Sequence, residues 1–177
     1  MNEKEKMLSG LLYNPNLDGL FEERVKAKEL CYKYNSELNN NYIKSLFGKT
    51  GKNFQIEPNF FCDYGYNIEI GENFYSNHNL VILDPASVTF GDNVFIGPNC
   101  GFYTAEHPLD FAVRNSGVEY AKPIKVGNNV WFGGNVTVLA GVTIGDNVVI
   151  GAGSIVTKDI PSNVVAVGNP CKILKQL

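Results

Sequence analysis

The stretch VGNNVWFGGNVTVLAGVTIGDNVVIGAGSIV, residues 126–156, decides the fold of this chain. An aliphatic residue, an aromatic or a serine recurs at every sixth position, in two rows. The first row is Val126, Phe132, Val138, Ile144, Ile150 and Val156. The second row is Val130, Val136, Val142, Val148, Ser154 and Ile160. A period of six fits neither an α-helix nor a single strand, and it predicts a solenoid whose coils stack on one another.

The same rhythm runs from Phe54 to Val167, with a slip of two residues before Phe90. Glycines follow many of the inward positions, where a side chain would crowd the corner of a coil. Three edges of six residues make a coil of about eighteen residues, so this stretch supplies roughly five coils. We therefore expect an N-terminal segment over 1–52, a β-helix over 53–167 and a short tail over 168–177.

The N-terminal segment has a helical pattern. Asp18 is the expected N-cap of its main helix, and Asn14-Pro15-Asn16 separates this helix from a shorter one before it. The expected apolar stripe is Phe21, Val25, Cys31, Tyr34 and Leu38. We interpret this segment as a cap packed on the solenoid, in preference to a direct role in ligand binding.

One segment breaks the repeat, residues 103–122, and it is rich in polar residues. A loop of this length inside a repeat array is usually functional or disordered, and its aromatic and proline residues favour a folded loop. It contains His107, one of only two histidines in the chain. Because histidine titrates near neutrality, His107 is the candidate general base. The other, His78, is interpreted as a packing or rim residue.

Composition excludes several classes of protein. The formal net charge of −3 argues against nucleic acid as the main partner. The four cysteines have no C-x-x-C spacing and indicate reduced thiols in a cytoplasmic protein. Two histidines are too few for a zinc site between subunits, so no metal is expected. No signal peptide is evident, and no apolar run is long enough to cross a membrane.

The last coil and the tail are basic. Thr157-Lys158, Lys172 and Lys175 could provide positive charge for a phosphorylated ligand. A solvated basic end with no ligand explains the same charges equally well.

Six segments together carry a resemblance to a known family. They are CDYGYNI (62–68), IGENF (70–74), YTAEHPLD (103–110), RNSGVEY (114–120), IKVGNNVW (124–131) and VTKDIP (156–161). With these segments the whole chain resembles the maltose and galactoside O-acetyltransferases of the hexapeptide-repeat superfamily, the maltose type most. The resemblance implies an all-β main body, a left-handed parallel β-helix, with an N-terminal α-helical segment. It also implies a homotrimer, acetyl-CoA as donor and a sugar hydroxyl as acceptor.

The resemblance implies a role for individual residues. His107 would be the general base, and the backbone N–H of Gly134 would hold the oxyanion. The implied acceptor contacts are Asp63, Asn77, Asp84, Tyr75 and Glu119. The implied acetyl-CoA contacts are Trp131, Gly134, Ala152, Thr157, Lys158, Lys172 and Lys175.

Two departures bear on function. Lysine stands at 172 and 175 where some relatives carry arginine, which keeps the charge without the bidentate fork. Asp63 follows the maltose-type pattern and favours glucose or maltose as acceptor. Two alternatives remain open at this point: an acetyltransferase for a non-sugar or xenobiotic acceptor, and a non-catalytic β-helix protein.

Overall fold

The computed structural model describes all 177 residues. Its helices are α1 (Glu3–Leu8), α2 (Leu20–Glu37), α3 (Asn40–Leu46) and α4 (Phe111–Asn115). Its strands are β1 (Phe54–Ile56), β2 (Phe61–Cys62), β3 (Ile68–Ile70), β4 (Phe74–Ser76), β5 (Val81–Leu83), β6 (Val88–Phe90), β7 (Phe95–Ile96), β8 (Gly101–Tyr103), β9 (Ala105–Glu106), β10 (Tyr120–Ala121), β11 (Ile124–Val126), β12 (Val130–Phe132), β13 (Thr137–Val138), β14 (Thr143–Ile144), β15 (Val148–Ile150), β16 (Ile155–Val156), β17 (Val164–Val167) and β18 (Lys172–Gln176).

Three sheets wrap around one core. Successive strands of the chain pass from a seven-stranded sheet to a five-stranded sheet and then to a four-stranded sheet. Each strand pairs in parallel with the strand one coil away, as in the register Tyr75 to Phe95 to Trp131. The seven-stranded sheet contains β1, β4, β7, β12, β15 and β17, so the solenoid has about six coils where the repeat predicted roughly five.

The two rows of the repeat fill the core as predicted, and none of their twelve members is more than 5% exposed. A column of phenylalanines continues through the middle of the solenoid. Phe74, Phe90, Phe102 and Phe132 meet edge to face, with ring centroids 5.2, 4.9 and 5.2 Å apart. Such edge-to-face contacts add to the free energy gained by burying the rings, and they hold neighbouring coils in register.

The sheets meet at three corners. The first corner joins the seven-stranded sheet to the five-stranded sheet, the second joins the five- to the four-stranded sheet, and the third joins the four- to the seven-stranded sheet. At the third corner Asn73, Asn93 and Asn129 have φ values of 54°, 56° and 56°. The side-chain amides of Asn73 and Asn93 each donate to the asparagine of the next coil, at 2.9 and 3.2 Å. Asparagine tolerates this left-handed conformation, which explains why the sequence repeats it there.

The N-terminal segment is helical as predicted, but its start and its buried face differ. The N-cap of α2 is Gly19, and Asp18 instead accepts the backbone N–H of Glu3 at 2.8 Å. Phe21, Val25 and Leu38 are exposed. The buried positions are Leu20, Ala27, Cys31 and Tyr34. The expected stripe was wrong at three of its five positions, because the first half of the helix buries Leu20 and Ala27 in place of Phe21 and Val25 and the helix ends before Leu38.

The tail and the cysteines complete the fold. The tail forms β18, which runs antiparallel to β17 and so extends the seven-stranded sheet. All four cysteines are free and buried. Cys31 of α2 contacts Cys62 of the first coil with 3.8 Å between the sulfurs, which places the cap directly against the five-stranded sheet.

Candidate active site

Most of the predicted site residues lie at two corners of the protomer, and the others lie on the seven-stranded sheet. Asp63 follows β2, Asp84 follows β5, and the loop with His107 and Glu119 follows β8, all at the second corner. Thr157 and Lys158 follow β16 at the same corner and are exposed. Asn77, Gly134 and Ala152 follow β4, β12 and β15 at the first corner. The width of the five-stranded sheet separates the two sets.

The loop that presents His107 is folded, as predicted. β9 and β10 pair antiparallel at its base, with Glu106 opposite Tyr120. Glu106 also forms an ion pair with Lys122, with 2.8 Å between Oε2 and Nζ. The imidazole of His107 is exposed directly after this base. The strand pair therefore holds His107 outside the solenoid, where the side chain is open to a ligand.

The tip of the loop is closed by polar contacts. One guanidinium nitrogen of Arg114 donates to the carbonyls of Pro108 and Leu109, at 3.0 and 3.2 Å. Asp110 caps α4 by accepting the backbone N–H groups of Ala112 and Val113. These bonds fix the backbone that follows His107. Sequence reasoning had given no role to Arg114, because its partners are carbonyl groups that carry no sequence signal.

The carboxylates of Asp63 and Glu119 lie near enough to each other at the second corner for their charges to interact. Burial, together with the negative charge of Glu119, raises the pKa of Asp63 to about 6. Its side chain is only partly buried and accepts no hydrogen bond within the protomer. A carboxylate left without a partner at an open surface is available to bind hydroxyl groups.

The expectation that Asp84 contacts the acceptor directly does not fit the structure. Its side chain is fully buried, and its carboxylate accepts the backbone N–H groups of Asp63, Tyr64 and Gly65 at 3.0, 2.9 and 2.7 Å. Burial raises the pKa of Asp84 to about 7, and the three N–H donors oppose that rise. Asp84 therefore positions the turn that carries Asp63.

The first corner offers a different set of groups. The backbone N–H groups of Gly134 and Ala152 donate no hydrogen bond within the protomer. The Asn77 side-chain oxygen accepts the backbone N–H of His78 at 2.7 Å, which leaves the Asn77 amide N–H groups as free donors. This corner is thus a row of hydrogen-bond donors, suited to carbonyl oxygens and to developing negative charge.

A groove of about 480 Å³ runs beside the first corner. It is lined by Tyr75, Asn77, Phe95, Ile96, Gly97 and Trp131. Phe95 and Trp131 are 49% and 57% exposed, which is a large apolar area for a protein surface. Phe95 was missed at the sequence level, although it lies in register between the predicted Tyr75 and Trp131.

The same column of outward residues ends at the basic tail. Beyond Trp131 the register continues through Val149 and Val165 to Lys175. An irregularity in the pairing leaves Leu174 without a partner, so that Lys172 pairs with Val167 and Lys175 pairs with Val165. Paired residues share a face of a sheet, so the bulge brings both lysines to the outer face.

Two further observations describe what the chain contains. No group of three or more His, Cys, Asp or Glu side chains is arranged to hold a metal ion. Neither does any helix combine the length and the apolar character that crossing a membrane requires.

Comparison with known proteins agrees with this architecture. Residues 6–51 match the maltose acetyltransferase hexapeptide capping motif, and residues 123–158 match six repeats of the bacterial transferase hexapeptide. The galactoside O-acetyltransferase of Escherichia coli strain K12 is 46% identical, over 98% of this chain and 88% of the relative.

Solved structures show the same fold over the whole chain. A maltose O-acetyltransferase from Clostridium difficile 630 is 51% identical with a TM-score of 0.98, covering 100% of this chain and 98% of that one. A galactoside acetyltransferase in complex with coenzyme A is 47% identical with a TM-score of 0.95, covering 99% and 91%. A Vibrio cholerae hexapeptide-repeat acetyltransferase complexed with acetyl coenzyme A is 38% identical with a TM-score of 0.91, covering 100% and 99%.

These likenesses define the class of protein: it is an acyltransferase whose fold is a left-handed parallel β-helix of hexapeptide repeats. The chain belongs to the maltose and galactoside O-acetyltransferase family.

Proposed function

We propose that this acetyltransferase moves the acetyl group of acetyl-CoA to a hydroxyl of a glucose- or maltose-type sugar, in sites shared between the subunits of a homotrimer. The observation that carries the proposal is the division of the site between two corners. The second corner supplies a base and carboxylates, and the first corner supplies N–H donors and an aromatic groove. Neither set is a complete transfer site alone, and two copies placed side by side would join them.

The exposed apolar surface supports this assembly. Phe95 and Trp131 lie open on the seven-stranded sheet, and Leu109 and Phe111 are 95% and 69% exposed on the extruded loop. Burying such surface against a second copy is favourable by about 25 cal/mol per Å². A closed ring of three copies would use both surfaces in every subunit, since each interface is head to tail.

The chemistry assigned to His107 is general base catalysis. A ring nitrogen takes the proton of the sugar hydroxyl while that oxygen forms a bond to the thioester carbon. The carbon–sulfur bond then breaks, and the imidazolium returns its proton to the leaving thiolate. The N–H of Gly134, which is free in the protomer, stabilises the negative charge on the carbonyl oxygen between these steps.

The donor and acceptor are bound by groups of opposite character. Lys172, Lys175 and Lys158 provide positive charge for the phosphates, and Thr157 with the free N–H of Ala152 suits the polar groups of the pantetheine arm. Trp131 contributes an apolar wall. Two solved relatives hold coenzyme A or acetyl coenzyme A, which supports the same donor here.

The acceptor contacts are Asp63, Glu119 and Asn77, with Tyr75 as a wall. A carboxylate accepts from sugar hydroxyls and the Asn77 amide donates to them, so together they recognise a polyol. The likeness to a maltose O-acetyltransferase supports glucose or maltose as the acceptor.

The test is transfer of labelled acetyl from acetyl-CoA to a panel of sugars, amino sugars and non-sugar alcohols, with the wild-type chain and His107→Ala. We expect acetylated glucose or maltose with the wild type. The variant should keep its oligomeric state and its binding of CoA while kcat falls by about 10²–10⁴. Near-normal turnover of the variant would rule out His107 as the general base. Transfer to non-sugar acceptors alone would rule out a sugar as the acceptor.

A further inference from the structure

The N-terminal cap reaches the candidate acceptor site through one residue. We infer that Tyr13 is a positioning residue for the acceptor: its hydroxyl holds the Glu119 carboxylate in the orientation that binds the sugar. The inference rests on the proposed function, because it assigns Glu119 to the acceptor. It also changes the expectation that the cap only packs on the solenoid.

Tyr13 and Glu119 are joined at the backbone and at the side chain. They form an isolated antiparallel bridge, with N–H to carbonyl distances of 2.9 and 3.0 Å in the two directions. The Tyr13 hydroxyl also donates to Oε1 of Glu119. Tyr13 is only 1% exposed, so its ring cannot turn away from this contact without opening the cap. The bridge connects residues 106 positions apart in sequence.

The surroundings explain why Glu119 needs a fixed partner. Asp63 repels Glu119 with a like charge, and the other charged or titratable groups that act on Asp63 or Tyr13 are Arg24, Lys28 and Tyr64. Arg24 is not a hydrogen-bond partner of Glu119, because it donates instead to the hydroxyl of Tyr64 at 2.8 Å and to the carbonyl of Pro15. Repulsion by Asp63 would otherwise displace the Glu119 side chain.

The hydrogen bond from Tyr13 occupies only one of the two oxygens of the Glu119 carboxylate. Glu119 uses Oε1 for Tyr13, and its second oxygen accepts no hydrogen bond within the protomer. Burial and the neighbouring Glu119 raise the pKa of Tyr13, so the hydroxyl stays a donor at neutral pH. The free oxygen of Glu119 and the carboxylate of Asp63 then present two acceptors to a sugar from adjacent directions.

Tyr13→Phe removes the hydroxyl and keeps the buried ring. We expect the acceptor KM to rise roughly tenfold, because the lost bond involves a charged group. The KM for acetyl-CoA should stay within about twofold, since the first corner and the lysines are untouched. Tyr66→Phe is the matched control, because the Tyr66 hydroxyl donates to Glu23 of the same cap at 2.7 Å. Its acceptor KM should not change.

A double-mutant cycle assigns the effect to the pair. Glu119→Gln combined with Tyr13→Phe should cost less than the sum of the two single variants, because both remove the same bond. Equal acceptor KM values for Tyr13→Phe and Tyr66→Phe would overturn the inference. So would a parallel rise in both KM values of Tyr13→Phe, which would indicate a general loss of structure.

A second readout separates this inference from the proposed function. Crystal structures of the wild type and of Tyr13→Phe need no acceptor, and without the Tyr13 donor the Glu119 carboxylate should leave its wild-type orientation in the variant. An unchanged Glu119 orientation would overturn the positioning role even in an active enzyme. If the wild type acetylated no sugar while the Glu119 carboxylate moved in the variant, the proposed acceptor would fail and the positioning of Glu119 would stand.

Discussion

Asp84 accepts the backbone N–H of Asp63 at 3.0 Å, so a fully buried carboxylate sets the direction of a partly exposed one. The two residues follow neighbouring strands at the second corner, β5 and β2. Three consecutive N–H groups converge on Asp84, which makes the turn from Asp63 to Gly65 rigid. The proposed acceptor contact at Asp63 therefore depends on a residue whose own side chain is fully buried.

We predict that Asp84→Asn destabilises the protein by about 1–3 kcal/mol, because an amide has one acceptor oxygen where three buried donors converge. The acceptor KM should rise as the turn at Asp63 loosens. Chemical denaturation at one protein concentration and steady-state kinetics measure the two effects. Asp92→Asn is the control: Asp92 accepts the N–H of Glu72 at the third corner, and Asn128 has the same role in the next coil. Equal losses in both variants would contradict the role of Asp84.

We predict that Asp63→Asn stabilises the protein at pH 8 and not at pH 4. The folded pKa of Asp63, about 6, is above the unfolded value of 3.8. The stability contributed by the protonated carboxyl is therefore complete below pH 4 and is lost as the pH rises through 6. Removing the ionised group should gain about 1–3 kcal/mol at pH 8, measured by denaturation at both pH values. A loss of stability at both would show that the Asp63 carboxylate has an unseen partner.

We predict that two inactive variants restore each other in mixed trimers. His107→Ala damages the second corner and Asn77→Ala damages the first. If neighbouring subunits each supply one corner, every mixed trimer keeps one intact site, so the purified mixed trimers should have about a third of the wild-type activity. Co-expression with two different affinity tags and sequential purification isolates the mixed trimers for assay. Mixed trimers as inactive as the parents would show that both residues of a site come from the same chain.

We predict that Lys172→Ala and Lys175→Ala raise the KM for acetyl-CoA about tenfold while the acceptor KM stays constant. The effect should weaken as salt is added, because exposed charges are screened. Lys33→Ala on α2 is the control for a general loss of charge. Lys175→Arg should keep the tight binding of acetyl-CoA that Lys175→Ala loses, since arginine keeps the charge and adds a second donor. An unaffected acetyl-CoA KM in both alanine variants would show that the tail is a solvated basic end that binds no phosphate.

The sequence predicts the solenoid well because its pattern is repeated and local. Every inward position of the two rows is buried, and the extruded loop with His107 lies where the rhythm breaks. The helical cap was less predictable. Cys31 and Tyr34 are buried as expected, but Leu20 and Ala27 are buried where Phe21 and Val25 were expected, and the pattern of the helix alone did not show this.

The site was predicted as a list of residues without their arrangement. Period and motif cannot show that Asn77 and Asp63 lie at different corners, because that depends on which strand each residue follows. Burial of Asp84 was also hidden, since an aspartate after a strand is typical of a turn or of a ligand contact. The contact between Tyr13 and Glu119 gave no signal in the sequence, because it joins the cap to the loop across most of the chain.

The outward column of residues from Tyr75 to Lys175 has a length that is set by the spacing of the strands. Five strand-to-strand steps separate the two residues, and each step is about 4.8 Å, so the column spans about 24 Å. Adding or deleting one complete coil would lengthen or shorten that span by about 4.8 Å. The distance between Tyr75 and the basic tail is therefore set by the number of coils between them, and it changes in steps of one coil.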